Sequence, residues 1–572
     1  MPRFSLHTLP CVLSHPIFHA AILVTFVIIL GLTGGTPFYH PDFIVERSLR
    51  TLAQGGNPKF FNYPSLMLYL NGFTYHLWFW LLARFDVIPS ALEPLQVYQQ
   101  SLLPNSPLPL PIFVPGHLIT LFFSLGGVLA TWWSAFHLTG SRWASLAAGL
   151  LLSTAFLWVQ DSHFITVDTP LSALGILTVM VLVITLKPGS TLRISQVLAI
   201  GILAGLTASA KYNGALVLTT IAAAMFINYP DRKNWMRHIT GLGSISLAVF
   251  LLTSPFVVFD FPKFQKDFLY EMEHARIGHF GFTTEQAGWF HLQSSLYDSF
   301  GLLALVAAFG GIIWLVASPR FHPAHKLALL VYPSLTFWVI SGSRLAFQRY
   351  TLPLHPFLAL YAALGLFGLY HLLAGKVWMR RFHLHKIIPL LLLFAMLTPN
   401  LRNDVQHIHL LTRQDTRILF TQMLQISSID QPSQRIFAGM YGLPHIYKAR
   451  KGSDQNAFSN AAIIILDSFS HDRHLFDSSS PLRFPRSNLS GGWVIQISPY
   501  SLAKDQIPLA SQSIYSPYLP DLWLRERPGP YFEIYLKQSS LADQLLWVCK
   551  SAGGNCTQQP SEAGFYYQTI MK

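Results

Sequence analysis

The twenty residues SLMLYLNGFTYHLWFWLLAR, Ser65 to Arg84, decide how the rest of this 572-residue chain is threaded. They are apolar, and at about 1.5 Å per residue they match the roughly 30 Å hydrocarbon core of a bilayer. Eleven further apolar runs surround them, at about 17–34, 114–138, 144–159, 169–187, 196–210, 213–229, 239–259, 298–318, 327–342, 350–373 and 387–400. If 65–84 also crossed, every later loop would change sides. Lys and Arg in short loops set orientation. With the N-terminus inside and 65–84 not crossing, the inner loops hold Arg142, Lys187, Arg193, Arg232, Lys233, Arg237, Arg320, Lys326, Lys376, Arg380, Arg381 and Lys386, joined only by Asp231. A crossing at 65–84 would move Arg380-Arg381 outside. The stretch is therefore expected in the interface, as an amphipathic or re-entrant segment, a depth that suits Tyr69, Tyr75, Trp78 and Trp80. The Pro-rich Pro104–Pro115 segment then leads stiffly into the second span.

Composition agrees. Charged residues make up 11% of the chain, against about 25% in a typical soluble domain, while apolar residues reach 51% and mean hydropathy is +0.39. This excludes a disordered chain, a nucleic-acid-binding domain and a disulfide-rich secreted module. The net charge of +13 reads as basic loops facing an anionic leaflet. Three cysteines exclude a disulfide framework and a Cys-rich metal site. The first run lacks a small-residue cleavage site before His40-Pro41-Asp42 and reads as an uncleaved anchor.

Beyond about residue 401 the apolar runs shrink to strand length, at 462–466, 493–498 and 531–536, and Asp415 is placed to cap a helix reaching about Ile426. The expectation is a polytopic α-helical membrane protein of about eleven transmembrane helices, residues 1–400, followed by an extracytoplasmic α/β domain, residues 401–572. There is no internal repeat. The membrane half is asymmetric, with outer loops at 35–113 and 260–297 against short inner loops.

A site between spans and outer loops opens outward, and its candidate groups are Asp42, Asp168, Lys211, Arg344 and Arg349. Asp42 follows Pro41, and Asp168 opens the fourth span; each fits a helix-start carboxylate or a general base and its partner. Lys211 lies between two spans, where a charge either snorkels or has a task. Arg344 and Arg349 flank an outer loop and suit lipid headgroups or a phosphate bound in a forked geometry. Of 23 histidines, none shows a tight metal spacing; His274 and His279, five apart, share no helical face. There is no Gly-rich phosphate loop, nucleophile elbow or Walker motif, which argues against an ATP-driven pump.

Several short motifs then stand in a telling order: Tyr39-His40-Pro41-Asp42, Asn57 to Leu66, Ser162-His163 to Asp168-Thr169-Pro170, Arg349-Tyr350-Thr351-Leu352-Pro353-Leu354-His355-Pro356, and Asp415-Thr416-Arg417. Together they resemble the bacterial dolichyl-phosphate-mannose–protein mannosyltransferase-like enzymes, phospholipid carrier-dependent glycosyltransferases of the GT-C superfamily, kin to the aminoarabinose transferases of lipid A. The resemblance implies sugar transfer from a polyprenyl-phosphate donor to a protein, lipid or glycan acceptor at the outer face of the inner or plasma membrane, with inversion at the anomeric carbon. It places the general base on Asp42, with Asp168 orienting it or the acceptor. Lys211, Arg344 and Arg349 would bind the donor phosphate, and His40, Tyr63 and His163 the acceptor or sugar. The family usually follows its first Asp with Glu; here Phe43 stands instead, so a divalent metal lacks a clear ligand set and no cofactor is assigned. Two other classes fit the composition: a transporter or flippase of lipid-linked sugars, and a non-catalytic assembly partner. The outward topology also puts Cys549 and Cys556, six residues of Gly-containing loop apart, where a disulfide persists.

Overall fold

The computed structural model describes residues 15–32, 44–90, 92–101, 111–187, 190–229, 231–278, 284–345, 347–426, 436–438, 450–451, 461, 463–469, 491–500 and 519–560. Helices dominate up to residue 426. In chain order they are α1 (Pro16–Leu32), α2 (Ile44–Ala53), α3 (Leu66–Arg84), α4 (Pro94–Ser101), α5 (Val114–Thr139), α6 (Arg142–Ser153), α7 (Phe156–Ser162), α8 (Asp168–Thr185), α9 (Ile194–Ala210), α10 (Val217–Asn228), α11 (Arg232–Thr253), α12 (Phe261–Ile277), α13 (Tyr297–Ala317), α14 (Pro323–Ser341), α15 (His355–Ala374), α16 (Leu384–Leu411) and α17 (Thr416–Ile426). Each of the eleven expected spans falls on a helix or, at 144–159, on the α6–α7 pair bent by 61°.

Among the described residues, six helices are long and apolar enough to cross a membrane, or seven if α6 and α7 form one bent span. The helices α1, α9 and α10 are apolar but short, and α14 is not among the six. The count of eleven crossings therefore does not follow from helix length and apolarity.

The interface reading of 65–84 has a definite packing to account for. The helix α3 is also not among the six. Met67, Leu68, Asn71, Gly72, Tyr75 and Phe79 are buried, while Phe73, Leu77, Trp80 and Leu81 are exposed. Those sets fall on opposite faces at helical spacing. One expectation is corrected: Tyr75 is fully buried, its hydroxyl donating to the Ile112 carbonyl at 2.6 Å, so it serves packing rather than the headgroup region.

The bundle closes around Leu151, Phe156, Val179, Ile221, Tyr332 and Phe357. Between α13 and α15 the backbones touch: a Cβ on Gly311 would collide with the Tyr361 carbonyl, and one on Gly365 with that of Ala307. Small residues permit such close approach, the usual basis of helix association without a hydrophobic drive.

The expected boundary at 400–401 lies inside α16, which continues to Leu411 despite Pro389 and Pro399. Beyond α17 a mixed sheet forms from β1 (Ile436–Ala438), β2 (Arg450–Lys451), β3 (Ile463–Asp467), β4 (Trp493–Ile497), β5 (Phe532–Leu536) and β6 (Cys556–Pro560), in the order β2-β1-β3-β5-β4-β6. The first three strands are parallel to one another and the rest pair antiparallel. The helices α17 and α18 (Ser539–Ser551) contribute Phe420 and Leu545 to a core with Ile465, Ile495 and Ile534. Cys549 and Cys556 are joined, with Cα atoms 6.3 Å apart.

Candidate functional site

The site is built where four chain segments meet. The first is the turn into α8. His163 ends α7, and Asp168 and Pro170 occupy the first turn of α8, where a missing N–H is harmless because those groups lack intrahelical partners. The second is Lys211, held extended between α9 and a tight 3₁₀ turn, Tyr212–Leu216. Gly214 lets that turn close, since any Cβ there would overlap the Thr207 carbonyl. The third is the 3₁₀ turn Gln348–Leu354, carrying Arg349 and Tyr350 into α15.

These three meet on Asp168. Its Oδ1 accepts from Lys211 Nζ at 2.7 Å, and its Oδ2 lies 3.4 Å from Arg349 Nε. The Asp168 carboxylate is buried, at 4% exposure, and each cation is mostly covered, at 16%. Lys211 also stands over the Tyr350 ring, 4.3 Å from its centroid, and Arg349 over that of Phe347 at 4.8 Å. Two cations and one anion leave a formal charge of +1 in a largely dehydrated place, where a charge is most strongly felt. The carboxylate of Asp168 is thus engaged by side chains, not spent on capping α8. Asp161 takes a supporting position: its Oδ2 accepts from Thr166 at 2.7 Å and Thr169 at 2.6 Å, tying down both ends of the turn that presents Asp168.

The fourth segment, Asn57–Asn62, is pinned along α12. Asn57 and Lys59 donate to Asp260 Oδ2 at 2.8 and 2.7 Å, the Phe61 amide to Asp267 Oδ2 at 2.9 Å, and Asn62 to Glu271 Oε1. Asp267 and Glu271, four residues apart, share one side of the helix, and Asp260 stands just before its first turn. The Phe61 carbonyl accepts from the Tyr212 hydroxyl at 2.9 Å, which ties the loop to the turn holding Lys211. Burial would push the Glu271 carboxyl up, but the nearby His274, the hydrogen bond from Asn62 and the charge of Lys211 outweigh it and hold it below the usual carboxylate range.

Of the expected site residues, Asp168, Lys211 and Arg349 come together. Arg344 is elsewhere: half-exposed, it pairs with Glu285 at 3.3 Å. Tyr63 is half-buried with its ring 5.7 Å from that of Phe60. His163 is buried, its ring 5.7 Å from His117 and 5.5 Å from His407. Asp42, His40 and Phe43 lie outside the described residues, as does His279. Among the described residues no group of three or more His, Cys, Asp or Glu side chains could hold a metal ion. Sequence reading passed over Asp161, Tyr350 and Glu271 as site residues. Asp161 had a signal, two threonines within eight residues; Glu271 had none, since its partner Asn62 is 209 residues away.

The chain is thus an apolar helical bundle with a paired-cation site at the mouths of its helices, followed by a small mixed sheet with packed helices. Residues 113–259 match the family described as dolichyl-phosphate-mannose-protein mannosyltransferase. The oligosaccharyltransferase AglB of Archaeoglobus fulgidus, in complex with an inhibitory peptide and a dolichol-phosphate, is similar over 86% of this chain and 75% of its own, with a TM-score of 0.52 and 11% identity. The same organism's oligosaccharyltransferase tethered to an acceptor peptide gives 0.52 and 13% over 89% and 77%. ArnT from Cupriavidus metallidurans bound to undecaprenyl phosphate gives 0.47 and 15% over 80% and 93%. At these identities the likeness concerns the fold. A sequence comparison with curated proteins finds no match.

Proposed function

We propose that this chain moves a sugar from a polyprenyl-phosphate carrier to an acceptor hydroxyl at the outer face of the membrane, with inversion. The observation that carries the reading is the sharing of buried Asp168 between Lys211 and Arg349. A lipid phosphate that reaches them meets cations already oriented, so little reorganisation is needed as charge develops. In the transfer, Asp42 takes the proton of the acceptor hydroxyl and the oxygen attacks the anomeric carbon. The bond from that carbon to the phosphate oxygen breaks, and the leaving phosphate keeps the electron pair beside Lys211 and Arg349. Asp168 keeps both cations in place. The acceptor is approached from the loop carrying His40 and Tyr63, while His163 acts through the turn it anchors. Arg344 belongs to the outer approach, and the acceptor is a protein, a lipid or a glycan. The N-terminus is inside, residues 401–572 form the extracytoplasmic domain, and eleven spans connect them.

A neighbour supports this reading: the AglB structure is a complex with a dolichol-phosphate. The test is sugar transfer from a lipid-linked donor by purified protein in detergent. Asp42→Asn should lower the rate by roughly 10²–10⁴ with folding intact. Lys211→Met and Arg349→Met should weaken undecaprenyl phosphate binding. Near-normal turnover of the first variant, or unchanged lipid affinity in the other two, overturns the corresponding role.

A further inference from the structure

A cationic clamp has a problem at the end of the reaction. The loaded carrier is a phosphodiester with one negative charge. The spent carrier is a phosphomonoester, which at neutral pH carries about −1.5 to −2. Lys211, Arg349 and Asp168 together supply a formal +1, so on charge alone they hold the spent carrier more tightly than the loaded one. Release of the product, not the chemistry, would then limit turnover.

Besides Asp161, which lies under the Asp168 turn, Glu271 is an acid near enough to feel Lys211 without joining the Asp168 pair. One of its oxygens accepts from Asn62, and the other is 3.8 Å from His274 Nδ1. Asn62 follows Phe61, whose carbonyl accepts from the hydroxyl of Tyr212, the residue after Lys211 in the chain. Lys211 acts electrostatically on Glu271, and Glu271 in turn on Tyr212 and Tyr350, the ring beneath Lys211. The Glu271 side chain is 30% exposed against 4% for Asp168, so it stands at the rim and not beneath the cations.

The geometry points to Glu271 as a specificity-determining residue that favours the singly charged phosphodiester over the more highly charged phosphomonoester, and so releases the spent carrier. This rests on the lipid-phosphate reading given above. Glu271 touches no reacting atom and transfers no proton. Its charge repels the second negative charge of the product more than it opposes the donor.

The test compares undecaprenyl phosphate with its methyl ester, a mono- and a diester of one lipid, for binding to the full chain in detergent at pH 7.5 or above, where the monoester is largely doubly charged. In Glu271→Gln, whose side-chain carbonyl still accepts from Asn62, the preference for the monoester should rise by a factor on the order of ten. Glu271→Asp keeps the charge and should keep the wild-type ratio. Glu273→Gln removes an equal charge from the exposed pair with Arg276 and should also leave the ratio unchanged. An unchanged ratio in Glu271→Gln, or equal tightening of both lipids, overturns the inference while the clamp stands. If the wild-type protein binds neither lipid, the clamp reading itself falls, and this inference with it.

Discussion

Replacing Asp168 with Asn removes the carboxylate that pairs with both Lys211 and Arg349, and the consequences can be worked out from the packing. The carboxylate is buried and both cations are mostly covered, so water replaces it poorly as a partner. Removing one member of a buried ion pair costs about 3–5 kcal/mol, chiefly because the other member is left uncompensated. Here two cations are left, and the formal charge of the cluster rises from +1 to +2. The measurement is reversible denaturation in detergent followed by intrinsic tryptophan fluorescence, for Asp168→Asn, Lys211→Met and the double variant. The double variant should recover part of the loss, giving a coupling of roughly 0.5–3 kcal/mol. Undecaprenyl phosphate, an anion that can stand in for the lost carboxylate, should restabilise Asp168→Asn more than wild type. At one hundred times its dissociation constant a ligand contributes about 2.7 kcal/mol. Stability of Asp168→Asn within about 1 kcal/mol of wild type, or strict additivity in the cycle, would refute the shared-carboxylate account.

Three further outcomes follow from other parts of the molecule. Among the described residues neither carboxylate oxygen of fully buried Asp404 has a hydrogen-bond partner, so Asp404→Asn should raise stability by about 1–3 kcal/mol, and a loss instead, read by the same denaturation, would mean that the acid has a partner. Gly365→Val should separate α15 from α13 and destabilise by more than about 3 kcal/mol, because the obstacle is the Ala307 carbonyl and not a flexible side chain; wild-type stability would show that the two helices do not touch. Non-reducing peptide mapping should find Cys549 and Cys556 linked, and a reporter fused after Lys572 should be active only on the extracytoplasmic side; alkylatable thiols at both cysteines, or cytoplasmic reporter activity, would overturn the outward placement.

Much of the fold is legible in the chain itself. Apolar runs of about 20 residues specify helices because a bilayer leaves the backbone no other partner, and every expected span indeed falls on helix. The short runs at 462–466, 493–498 and 531–536 anticipated β3, β4 and β5 to within a residue at each end. The helix from Asp415 was equally readable, since its cap is local: the Arg417 amide donates to Asp415 Oδ1 at 2.8 Å. The site was half legible. A lysine at the seam of two apolar runs and an arginine at the mouth of another mark themselves by the energy of placing charge there.

What the chain could not announce is who meets whom. Lys211 is 43 residues from Asp168, and Arg349 is on yet another segment, so their convergence exists only once α8, α9 and the turn before α15 are packed. The same holds for Arg344, which looked equivalent to Arg349 as a sequence position and turns instead to Glu285. Glu271 is the strongest case: on α12 it is one of several exposed-looking acids, and only the return of the Asn57–Asn62 loop, some two hundred residues earlier, sets it beside the cations. Sequence determines the elements because helix and strand formation depend on neighbours within a few residues and on the solvent each segment must face. The tertiary structure decides the site because electrostatics acts through space, over distances the chain spans only by folding back on itself.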